Sequence, residues 1–242
     1  SSLLIFALIF SVVQNVLCQE KAISNDDEIF TEIELESIKR ANPQKALYDA
    51  FLNAIASDAY SKQTKSELTV SLFSYYIENG SFFAFQKAFK QHGALLKYNS
   101  ILYRYWETMS LEYNERFKAM FKTSELLLQE SQASGDNQNV SDAYRLLARS
   151  KMHLNQKDSA LFYANLALNF AKRSDAIKAV ANTFKDLSAI EAYFDIIGKS
   201  TSTLLKLNKE AERIKDYNLL CWSTMMIAER SFQVNSFNEA RT

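Results

Sequence analysis

Residues 147–168 read LARSKMHLNQKDSALFYANLAL, with alanines at 148, 160, 164 and 167 on either side of a polar turn, LNQKDS. Two antiparallel helices joined by a short turn approach closely only where their side chains are small. Asn155 and Asp158 suit the turn, because their side chains bond nearby backbone groups and Asn tolerates left-handed geometry. The stretch reads as a helical hairpin whose helices touch at Ala148 and Ala160. Leu147, Leu166, Leu168 and Phe170 then offer apolar surface that one hairpin cannot bury, so a neighbouring hairpin is expected to stack on it.

A step of 40 residues carries Leu147 to Leu187 and Ile227, Ala148 to Ser188 and Ala228, and Ala160 to Ser200 and Ala240. The turn follows, from Asn155 to Asp195 to Asn235. Composition agrees with a helical repeat. The 242 residues are 48% hydrophobic and 23% charged, enough to build a core, while Gly 4 and Pro 1 are too few for the turns of a β-sandwich or a doubly wound α/β fold. Lys+Arg 28 against Asp+Glu 28 leaves no general attraction to nucleic acid.

These residues resemble the tetratricopeptide repeat (TPR). Tyr144 falls on the family's aromatic position in helix A, Leu147 and Ala148 on its Leu-Gly pair, and Ala160, Tyr163, Ala164, Ala167 and Leu168 on its helix B signature. Lys151 stands where the family prefers Tyr, no Pro closes the unit, and the period exceeds the usual length of about 34 residues. Longer units of this kind resemble those of bacterial extracytoplasmic sensor and regulator proteins. The resemblance implies an all-α fold of stacked antiparallel helix pairs, a TPR-like α-solenoid with a right-handed superhelix, and a concave groove lined by helix A. Its lining would be Arg145, Arg149, Met152 and His153, then Lys185 and Tyr193, then Trp222, Met225 and Phe232, with the three basic residues forming a patch for a partner's acidic group.

Upstream, the spacing predicts a helix over 115–134 with an apolar stripe at Phe117, Phe121, Leu126, Leu127 and Leu128, ended by Gly135-Asp136. Breaks at Asn79-Gly80 and His92-Gly93 and a helix start at Asn42-Pro43 make 43–138 a run of divergent helical hairpins, before TPR-like repeats over 139–242 with the last one truncated. The aromatics crowded between Phe73 and Phe121 read as packing between layers and not as a ligand platform. Residues 19–42 are expected to form an acidic lead-in and a capping helix. Leu3 to Val13 is an uncharged run of signal-peptide length, and Val16 and Cys18 fit a cleavage before Gln19, so 1–18 is expected to be a secretory signal. An uncleaved anchor and a buried helix are the alternatives. Neither Met nor a basic segment precedes the run, as in a chain that has lost its first residues. Leu17 does not fit a lipoprotein box at Cys18. Cys221, among Leu219, Leu220 and Trp222, reads as a buried inert thiol.

No phosphate-binding Gly-rich loop, His-Glu-x-x-His or Gly-x-Ser-x-Gly occurs, and His92 and His153 lie far apart. The sequence thus leads to a non-catalytic domain without cofactor or metal that binds a protein or peptide in its groove, with no direct nucleic-acid binding. A secreted or periplasmic location follows from the signal. Two settings fit: the sensory part of a membrane-anchored bacterial regulator, attached through a segment beyond Thr242, or a free-standing extracytoplasmic scaffold or assembly factor.

Overall fold

The computed structural model describes residues 52–57, 61–78 and 80–239, with side chains as far as 233. The expectations for 1–42 lie outside the described residues. The chain divides into two compact units at Ser61/Lys62. Of the first, 52–56 is helical. The second is all-helical among its described residues: α1 (Lys62–Glu78), α2 (Phe82–His92), a 3₁₀ turn (Gly93–Leu96), α3 (Ser100–Tyr113), α4 (Phe117–Ser134), α5 (Asn137–His153), α6 (Lys157–Ala171), α7 (Ala179–Tyr193), α8 (Ile197–Arg213) and α9 (Tyr217–Glu239). From α3 onward each helix packs on the one before it, and α7 also packs on α5.

The seam of the opening stretch lies where its alanines place it. Ala148 and Ala160 are both 0% exposed, and with Ala164 they form one core with Leu187 and Ile190 of α7, so the next hairpin closes over them. One step on, Ser200 Oγ donates to the Ser188 carbonyl at 2.8 Å across the α7–α8 seam. Small polar residues serve there because a hydroxyl finds its acceptor in the backbone it touches.

The turns repeat with the same step. Glu115, Asn155 and Asp195 all have left-handed backbone, with φ of 56°, 57° and 57°. After each, the next amide reaches back five residues: Arg116 to the Leu111 carbonyl, Gln156 to Lys151 and Ile196 to Glu191, at 2.8–2.9 Å. This is the Schellman closure of a helix C-terminus. The same 40-residue step also reaches α3–α4, where Thr108 and Met120 are 0% exposed at the positions of Ala148 and Ala160. At Asn235 the expected turn does not form, and α9 runs straight through to Glu239. At 115, 155 and 195 a second helix folds back and holds the left-handed residue; among the described residues no such helix follows Asn235.

The α4 stripe needs correction as well. Its buried positions are Met120, Ser124, Leu127 and Ser131, spaced four, three and four apart, whereas Leu126 is 44% exposed. Ser124 Oγ bonds the Met120 carbonyl at 2.8 Å, so a serine can face the seam at no unsatisfied cost. Gly135 ends α4 with φ of 71°, and Asp136 starts α5 by accepting from the Gln138 amide at 2.7 Å. In the N-terminal layers Phe73 meets Phe85 and Trp106 at 5.4 Å each, in edge-to-face geometry. Phe73 and Phe85 are fully buried, as a packing role requires. Cys221 is exposed, contrary to the buried thiol expected of it, because its face of α9 has no helix over it among the described residues.

Candidate functional site

Helices α3, α5 and α7, the first helices of three successive hairpins, carry a line of charges. On α5, Arg145 and Arg149 stand one turn apart and share a face. Arg145 donates Nη1 to Asp142 Oδ1 at 2.6 Å and Nε to Asp186 Oδ2 of α7 at 2.7 Å. Arg149 lies 2.6 Å from Glu112 Oε2 of α3, and His153 Nε2 is 3.0 Å from Glu112 Oε1. The His153 ring also stacks on Phe117 at 4.3 Å. Three hairpins are thereby tied together by ions. Burial pushes the Asp186 carboxyl up, but Arg145 and Arg149 outweigh it and hold the group below the usual carboxylate range. For Asp142 burial prevails over Arg145, and its carboxyl is raised.

Beside this line lies a pocket of about 350 Å³, lined by Val70 of α1, Leu102, Tyr105 and Trp106 of α3, Asp142 and Arg145 of α5, and Asn182 of α7. Burial pushes the Tyr105 hydroxyl up to about 12, keeping it protonated. Helices as far apart in the chain as α1 and α7 thus meet around one cavity. Among the described residues no three of His, Cys, Asp and Glu are grouped to hold a metal ion, and no helix is long and apolar enough to cross a membrane.

No family model and no curated protein matches the sequence. Among solved structures, the chain is similar to a signal transduction ATPase with numerous domains (STAND) protein with a tetratricopeptide repeat sensor from Pyrococcus horikoshii, at 16% identity and a TM-score of 0.51 over 92% of this chain. The fold is a TPR-like α-solenoid. The chain spans 37% of the length of that neighbour.

The TPR-like frame places the remaining groove candidates. Met152 is half-buried against the α5–α6–α7 core. Lys185 is exposed, with Nζ 4.9 Å from the centre of the half-buried Trp222 ring. Tyr193, Met225 and Phe232 are 50%, 49% and 74% exposed. The nine candidates therefore separate: Arg145, Arg149 and His153 contact acids within the chain, Met152 packs into the core, and Lys185, Trp222, Tyr193, Met225 and Phe232 lie along α7 and α9.

Sequence reasoning missed the acids that neutralise the arginines, Glu112 and Asp186, and the pocket residues Leu102 and Tyr105. The TPR-like register contains the signal for the last two. Forty residues before Asp142 and Arg145 stand Leu102 and Tyr105, and forty after Asp142 stands Asn182. All five line the pocket. Leu102 and Tyr105 precede residue 139, where the repeats were expected to start.

Proposed function

We propose that the chain is a non-catalytic TPR-like domain that binds a protein or peptide along α7 and α9, as the extracytoplasmic sensory part of a membrane-anchored bacterial signalling or regulator protein. The observation that carries the binding role is the exposure of Tyr193, Met225 and Phe232 beside the Lys185–Trp222 pair. Aromatic and methionine side chains left in water next to a cation suit an apolar anchor followed by an acidic group. Arg145, Arg149 and His153 of α5 contact acids within the chain and Met152 of α5 packs into the core, so this surface does not draw on them. The sensory role draws support from the neighbour, whose tetratricopeptide repeats are its sensor, and from the signal-like run Leu3 to Val13.

Selection of peptides from a phage-displayed library on the immobilised chain tests the surface. The selected peptides should lose about tenfold or more in affinity for Met225→Ser/Phe232→Ser, a loss of about 1.4 kcal/mol or more. The variant should keep the wild-type melting curve, since both side chains are exposed. Unchanged affinity would move the binding surface elsewhere. Alkaline phosphatase fused after residue 42, active only once exported, tests the location; an inactive fusion of normal abundance would rule out the extracytoplasmic setting.

A further inference from the structure

We propose that the pocket between α1, α3, α5 and α7 binds a small zwitterion of amino-acid size. This site stands apart from the exposed α7–α9 surface, and neither depends on the other. Its volume of about 350 Å³ sits at the small end of cavities that hold discrete small molecules, and five helices contribute to its lining, α4 through Leu127. An extended peptide needs a longer track than that.

The lining chemistry chooses the ligand. Trp106 is 6% exposed, and its indole N–H is buried with no hydrogen-bond partner among the described residues. A buried donor of this kind calls for an acceptor. Beside it, hydrogen bonds within the chain use Nε and Nη1 of Arg145 and Oδ1 of Asp142. Arg145 Nη2 and Asp142 Oδ2 remain for a ligand. Asn182, half-buried on α7, makes no side-chain hydrogen bond among the described residues and offers both a donor and an acceptor.

A carboxylate is the acceptor that answers both the Trp106 N–H and the free guanidinium nitrogen, and an ammonium group answers the Asp142 oxygen. A molecule carrying both adds no net charge to a pocket whose lining holds one acid, Asp142, and one base, Arg145. Val70 and Leu102 supply apolar wall for its side chain. The raised Asp142 carboxyl is consistent with an acid whose charge is incompletely compensated until a cation arrives.

The protein has two tryptophans, so Trp222→Phe leaves Trp106 as the reporter. Titrating this full-length variant with each of the standard L-amino acids should give, for at least one, a saturable change in Trp106 emission below about 10 mM. The N-acetyl and carboxamide derivatives of that amino acid should bind at least about tenfold more weakly, because each lacks one charge. Asn182→Leu, at a side chain with no hydrogen bond among the described residues, should weaken binding by a similar factor while the melting curve stays unimodal. No saturable response to any amino acid, equal binding of the blocked derivatives, or unchanged affinity in a folded Asn182→Leu would each overturn the proposal. So would a response of Trp106 to library-selected peptides alone, which would make the pocket part of a peptide track. Loss of peptide binding in Met225→Ser/Phe232→Ser leaves the amino-acid titration unaffected, so the two readings fail separately.

Discussion

Arg149 of α5 reaches Glu112 of α3 at 2.6 Å, and this one contact joins two successive hairpins through groups that are 20% and 7% exposed. As surface charges, the groove arginines would be expected to change stability by less than about 0.5 kcal/mol when replaced. The pairing reverses that expectation. Arg149→Met leaves the Glu112 carboxylate buried with the His153 ring as its remaining neighbour, and breaking a buried pair from one side costs about 3–5 kcal/mol. Urea unfolding should show that loss, and Glu112→Gln with Arg149→Met together should cost less than the sum of the two single changes. A loss below about 0.5 kcal/mol in Arg149→Met would mean that the pair adds nothing to the fold.

Ala160 faces Ala148 with neither exposed, so a larger side chain has no room without moving a helix. Ala160→Leu is expected to lower stability by about 1–3 kcal/mol, measured by thermal or urea unfolding. The same change at Ala228, which is exposed on α9, should leave the melting curve nearly in place. Equal melting of Ala160→Leu and wild type would place the seam elsewhere.

Glu115 holds φ of 56° with a side chain that disfavours it. Left-handed backbone costs an ordinary L-residue roughly 1–2 kcal/mol, and the entropy glycine loses on folding offsets part of that gain. Glu115→Gly should therefore stabilise by about 0.5–1 kcal/mol, where the same replacement inside a helix destabilises. Gly135→Ala, at φ of 71° with no atom within 4 Å of the added methyl, should show the reverse sign from strain alone. Chemical unfolding of the two variants side by side checks both signs.

His92 ends α2 half-buried, with Nε2 buried and without a hydrogen-bond partner among the described residues, and burial pulls its pKa below the ordinary value near 6.5. The unfolded chain then takes up this proton at a higher pH than the folded one. Its stability contribution is present above about pH 6.5 and is lost as pH falls toward the lowered folded value. Melting temperatures measured from about pH 7 downward should fall less steeply for His92→Gln than for wild type. Parallel curves would show that His92 is as well solvated in the fold as outside it.

How far the sequence reached depends on how local each cause is. The hairpin seam was legible because small residues at 148 and 160 constrain the distance between two helices whatever surrounds them, and the burial of both carries that through. The turn at Asn155 was legible for the same reason: side-chain chemistry and backbone geometry coincide in one residue. The 115 turn was not, since Glu has no preference for left-handed backbone and is held there by α4 folding back on α3. Asn235 shows the converse, a residue suited to the turn that stays helical, with no helix folding back on it among the described residues.

Charge was the least legible property. Arg145 and Arg149 sit on one helix face by spacing alone, but whether they meet solvent, a partner or an acid depends on Asp186, 41 residues later, and Glu112, 37 residues earlier. Such distances close only when hairpins stack, and the arrangement of the stack sets which carboxylate arrives. By itself, then, the sequence determined an all-helical hairpin repeat and its step, because helix contact and turn chemistry act within a few residues. The tertiary structure alone decided which groove charges are neutralised and which aromatics stay in water, and it assembled one pocket from Val70, Tyr105, Asp142 and Asn182, because electrostatic pairing and enclosure depend on atoms that the chain brings together from more than a hundred residues apart.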